Sequence, residues 1–246
     1  MENYRLLDYY HSFAILEAWN HVRESAKDDM SDIDLMQFCI DRLNTYRAFG
    51  VSPEAPISNP GLEVFNQGSK FIFDPSQTWD VGTYFTDTVG TKLSNADFVT
   101  EPEVTAITTL FEVLQSQASD VSFDFKDIYS DALSNLLGSL ETAEVPVNSI
   151  GYYTYGIGKS TLELYCSSKP PFDSQVPIPP LFVPAVVVSD LIWGIAGAVS
   201  SAVADDMDDK PINWRKAGVL GLIGAVAGSA APILRLARLI KPPRIF

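Results

Sequence analysis

Apolar and polar positions alternate along this chain in two distinct manners. Over residues 3–26, Leu6, Tyr9, Phe13 and Leu16 recur at intervals of three, four and three, with Ile15, Trp19 and Val22 widening the stripe. That spacing predicts an amphipathic helix. A second helix is predicted from the cap residue Ser31 to Gly50, through Ile33, Met36, Ile40 and Leu43; a short polar turn between the two makes them an antiparallel pair. Residues 51–99 keep neither a helical nor a strand period and are rich in Pro, Gly, Asn, Asp and aromatics. A short strand around Phe71 and Phe73 and a loop with helical turns fit that stretch equally well.

Helical rhythm returns at Thr100, where a cap, Pro102 in the first turn and Glu103 closing a capping box precede Val104, Ile107, Phe111 and Leu114. Another helix is predicted over about residues 123–142, with Phe125, Ile128, Ala132, Leu136 and Leu140 inward, and a last one near 148–167. The expected fold class is all-α: an acidic body of about five helices over residues 1–168, a Pro-rich connector at 169–184, and a Gly/Ala-rich helical hairpin with a basic tail at 185–246. Six prolines between Pro170 and Pro184 set the connector apart as an extended, semi-rigid link.

The second manner belongs to this hairpin, whose runs 191–204 and 217–234 carry no charge at all. The second run has the length of a membrane span and is flanked by Arg215, Lys216, Arg235 and Arg238. Small residues recur four apart: Gly194 with Ala198, Gly197 with Ser201, Ala217 with Gly221, Gly224 with Gly228. Such faces let two helix backbones approach closely, which predicts glycine-zipper packing of one rod on the other. Glycine weakens a helix by about 1 kcal/mol relative to alanine, so packing must compensate. Asp205, Asp206, Asp208 and Asp209 mark the hairpin tip, and their order does not match a calcium-binding loop.

Charge changes the picture more than composition does. The chain carries a formal charge of −14, with all 31 acidic residues and only 10 of the 17 Lys and Arg before Lys210, so that this portion is −21 and the remainder +7. An acidic body repels nucleic acid. The basic end, with Arg235, Arg238, Lys241 and Arg244 as headgroup anchors, suits an anionic membrane or a partner protein, with oligomerisation on the membrane. The acidic N-terminal segment lacks the signature of a Sec signal peptide, which implies synthesis in the cytoplasm, release by another route and action at a membrane.

Candidate chemistry is sparse. The GIGKST stretch at 156–161 ends like a phosphate loop, but the first glycine of that motif should stand where Tyr153 does. Tyr152, Tyr155, Leu162 and Tyr165 instead fall on one face of a helix running through it. His11 and His21, the only histidines, lie ten residues apart on one helix and cannot share a metal; each reads as a surface or core-edge residue. Cys39 and Cys166 have no metal-binding or disulfide spacing. No catalytic residue, metal or cofactor is assigned.

The first helix with its YYHSFAILEAWNHV segment, the YYTY helix two-thirds along and the Gly/Ala-rich end together resemble a group of uncharacterised Bacteroidota proteins with glycine-zipper tails. The tail is similar also to the hydrophobic hairpins of colicin-type toxins and bacteriocins, which implies membrane permeabilisation. The leading expectation is therefore a non-enzymatic, membrane-inserting protein, toxin-like or exported cargo. The alternative is a helical interaction or scaffold protein with the hairpin as buried core. Nucleotide binding at 156–161 ranks third.

Overall fold

Residues 3–24, 30, 34–35, 38, 41, 91–118, 125–166 and 183–239 are described in a computed structural model of the chain. Among them the chain forms six long helices and a single turn, and no strand. The fold is all-α. The helices are α1 (Asn3–Glu24), the single turn α2 (Thr91–Ser94), α3 (Glu101–Ala118), α4 (Phe125–Thr142), α5 (Ile150–Cys166), α6 (Val183–Met207) and α7 (Trp214–Leu239). The expected strand around Phe71 and Phe73, and all of the connector up to residue 182, lie outside the described residues. Of the second predicted helix, Asp34, Leu35, Phe38 and Asp41 are described, and these are helical. Pro184, assigned from sequence to the connector, sits instead in the first turn of α6, where its missing N–H costs no intrahelical bond.

Local chemistry sets several of the boundaries. Glu101 and Glu103 in the first turn of α3 face the positive end of the helix dipole, and the Thr100 N–H donates to Glu103 Oε2 at 3.4 Å. The end of α4 and the end of α6 share one chain reversal. Glu144 has φ 52° and lies between bonds from Glu144 N to the Glu141 carbonyl and from Val145 N to the Leu140 carbonyl. Asp209, also at φ 52°, is followed by a bond from Lys210 N to the Asp205 carbonyl. Both are left-handed helix ends, a conformation that glycine takes most cheaply.

One contiguous core joins body and hairpin: Leu7, Ile107, Leu133 and Ile157 belong to the same buried cluster as Leu191, Ile195, Ala217 and Leu222. At its centre stands α5, packed by α1, α3, α4, α6 and α7. Of the stripe expected along one face, Tyr152 is buried, while Tyr155, Leu162 and Tyr165 are half-buried. Tyr153, Thr154, Gly156, Ile157, Gly158, Ser160 and Thr161 are buried as well. A helix surrounded in this way needs small residues where neighbours come close. A Cβ on Gly156 would lie 2.5 Å from the Tyr4 carbonyl of α1, and one on Gly158 2.6 Å from a Leu133 methyl and 2.9 Å from the Tyr129 hydroxyl of α4.

Candidate functional site: a buried polar network at the hairpin

The glycines of GIGKST thus serve helix packing, and the segment is helical throughout. A phosphate cradle needs a loop whose N–H groups are free to point at the ligand; here they belong to the helix. Lys159 lies outward, 3.5 Å from Glu163 one turn on, while Ser160 and Thr161 point into the core.

The hairpin pairs α6 with α7 backbone to backbone. A Cβ on Gly197 would collide with the Leu220 carbonyl, and one on Gly224 with the Trp193 carbonyl. One on Gly228 would lie 3.0 Å from the Ser189 carbonyl, and one on Gly221 3.1 Å from that of Gly194 and 3.2 Å from the Ala198 Cβ. Gly194 also receives Ile157 from α5. Ser201 is buried on α6, and its hydroxyl has no hydrogen-bond partner among the described residues.

At the tip, Asp206, Asp208 and Asp209 are exposed, and Asp208 pairs with Lys210 at 2.7 Å. Asp205 differs from them. It is buried and accepts from the Asn213 N–H at 3.0 Å and from Lys216 Nζ at 2.9 Å, tying the end of α6 to the start of α7. Burial pushes its carboxyl up, but these bonds outweigh that and hold it below the ordinary range. Arg235 and Arg238 fall in the last turns of α7, whereas Lys241 and Arg244 are outside the described residues.

Sequence periodicity gave no sign of what lies between α1, α5 and the hairpin. His11 is fully buried, not at the surface or core edge. Its Nδ1 lies 2.9 Å from Ser160 Oγ, which is also 2.9 Å from Ser12 Oγ, and its Nε2 lies 3.5 Å from Asp190 Oδ2. On the far side of the same carboxyl, Ser229 of α7 donates to Asp190 Oδ1 at 2.6 Å, and Tyr165 of α5 donates to Ser229 at 2.8 Å. Thr161 Oγ stands 3.3 Å from Asp190 Oδ2. Four helices meet at this one carboxyl, which is fully buried.

The Thr161 hydroxyl donates to the Ile157 carbonyl at 2.8 Å and also reaches Asp190 Oδ2. Burial pushes the Asp190 pKa well above the usual carboxylate range, against the opposing bonds from Ser229 and Thr161. His11 is pulled the other way. Burial lowers it to about 4, partly offset by the Ala225 carbonyl of α7, so the ring is neutral at pH 7. Ser12, Ser160 and Nδ1 form one chain of hydrogen bonds, and Nε2 faces Asp190 without a bond of good geometry.

Comparison with family models, with curated proteins and with solved structures finds no match. The site must be judged on its own geometry. A serine, a histidine and an aspartate in line resemble a nucleophile relay, yet Ser160, His11 and Asp190 are all fully buried. What this arrangement does is join elements by bonds that apolar packing alone would not specify.

A second buried carboxylate does similar work in the body. Glu103, 1% exposed, accepts from the Gly151 N–H at 2.6 Å as well as from Thr100, so one side chain caps both α3 and α5. Burial raises its pKa, against the lowering effect of the bond from Gly151.

Proposed function

We propose that this chain is a non-enzymatic helical interaction protein in which α6 and α7 are core. The observation that carries this reading is the polar network. Extracting the hairpin would part Tyr165 from Ser229 and Asp190 from Thr161 and His11, while the Ser229–Asp190 bond would leave with it, at a cost of about 1–3 kcal/mol for each buried group left unsatisfied. The α6 span is 82% buried against its neighbours. A cleft of about 930 Å³ between α3 and α4, floored by Ala106, Leu110, Ala132 and Leu136 and edged by Glu101, Asn135 and Ser139, is uncovered among the described residues and would give a partner a docking surface.

A second reading keeps the hairpin as a membrane-inserting element of a toxin-like or exported protein. Its support is the 22-residue span Val186–Met207, with mean hydropathy 1.8, and the close backbone approach of α6 and α7 at Gly197 and Gly224, which is internal to the hairpin. The basic residues after Leu234 would then face anionic headgroups.

Hydrogen exchange and vesicle leakage at pH 7 separate the two. The core reading expects the α6 and α7 amides to exchange only through global unfolding, and no dye release from anionic vesicles. Leakage at pH 7, lost in Gly224→Leu, would transfer the case to insertion.

A further inference from the structure

We propose that His11 is an acid-operated latch: a second proton on its buried ring separates α1 from α5 and the hairpin while the remaining helices stay assembled. This inference does not depend on which function the chain serves.

The geometry places the ring where three elements must agree. Nδ1 is engaged by Ser160 of α5, Nε2 faces Asp190 of α6, and the Ala225 carbonyl of α7 lies alongside. Among the described residues, the titratable groups around the ring offer no negative charge that persists in acid. Asp190, on α6, is raised well above the ordinary carboxylate range by burial and so takes up its proton early as acid is added. The half-buried Tyr165 of α5 and the buried Tyr129 of α4 have phenols raised well above their ordinary range by desolvation. Near the ring α7 contributes Ser229 and a backbone carbonyl, without an ionisable side chain. Lys159 and Glu163 of α5 pair with each other on the outer surface, where both are substantially exposed. A charged His11 would thus be an unpaired buried cation, and two events could relieve it: proton loss from Asp190, or exposure of the ring to water.

The first is a relocation within the pair and binds no additional proton. Once the pair takes up one proton more than the neutral set, the cation is uncompensated, and only exposure remains. The path to exposure is set by packing. His11 is on α1, which contacts the rest of the described protein chiefly through α5 and α7. Its detachment frees the ring without dismantling α3–α4 or the glycine contacts within the hairpin.

The sign is distinctive. His11, whose folded pKa is lowered, binds its proton more readily when exposed, so α1 docking weakens as pH falls from 6.5 to about 4, where the effect levels off. Asp190 and Glu103, whose pKa values are raised, bind protons more tightly when folded and so resist acid opening. Among these buried groups, only the histidine drives α1 off as acid is added.

The test is amide exchange by mass spectrometry from pH 7 to 3.5, corrected for intrinsic rates, together with NMR titration of the two imidazoles with His21 as control. The expected result is loss of α1 protection by tenfold or more before α3 and α4 change, in step with His11 protonation. In His11→Asn, which keeps a group for Ser160 and cannot titrate in this range, the opening should shift at least half a pH unit lower. Equal acid opening in wild type and the Asn variant overturns the proposal. Should that variant not fold at pH 7, the titration of the native ring decides: protonation above pH 6 with α1 still protected overturns it, and protonation coincident with α1 exchange supports it.

Discussion

At the scale of single residues, apparently equivalent glycines have opposite requirements. Gly224 abuts the Trp193 carbonyl, whereas a Cβ on Gly138 of α4 would meet nothing within 4 Å. Gly138→Ala removes unfolded-state freedom at an exposed helical site and should stabilise the protein by about 0.5–1 kcal/mol. Gly224→Ala must push two backbones apart and should cost about 1–3 kcal/mol, as overpacking does. Glu144 supplies a third case, since its left-handed φ of 52° costs a side chain that glycine lacks. Glu144→Gly should gain up to about 1 kcal/mol. Urea denaturation of the three variants checks all these signs; destabilisation by Gly138→Ala would mean that the α3–α4 cleft is filled at that point.

At the scale of elements, the apolar period made α1, α3 and α4 legible, because each presents one face to the core and one to water. The helical nature of α5 was legible too, but its burial on nearly every side was not. Glycine, serine and threonine have little apolar weight, so a periodicity reading places them outside even when neighbours pack directly on them. His11 and Asp190 were missed as a pair for a related reason. They are 179 positions apart in the numbering, and what joins them is the meeting of α1 with α6 around α5. The one available signal was Asp190 within a long apolar run, a group that must find partners or neutralise. Because its partners lie on separate helices, their removal should register as weakened attachment between helices. Tyr165→Phe takes the donor from Ser229 and should cost about 1 kcal/mol. Thr161→Val removes the hydroxyl that meets Asp190 Oδ2 and should cost about 1–3 kcal/mol. A double-mutant cycle should show coupling between them through the shared carboxyl; strict additivity would mean that the two hydroxyls act independently.

At the scale of the whole molecule, the sequence sets two electrostatic tendencies against each other, and their magnitudes decide the outcome. The portion before Lys210 carries −21 and the remainder +7. Two unit charges 10 Å apart in water interact by roughly 0.4 kcal/mol before screening. The self-repulsion of the acidic portion grows as half the square of its charge and exceeds its attraction for the basic end, which grows only as the product of the two. Compaction therefore works against a net repulsion that salt relieves, because the Debye length shrinks from about 30 Å at 0.01 M to about 3 Å at 1 M. The urea midpoint at pH 7 should accordingly rise as sodium chloride goes from about 0.01 to 0.5 M, with most of the gain in the first 0.1 M. Potassium chloride should act alike, since the effect is screening and not a bound ion. A midpoint that falls with salt would reverse the ranking, showing that attraction between the basic end and the acidic helices outweighs repulsion among the carboxylates.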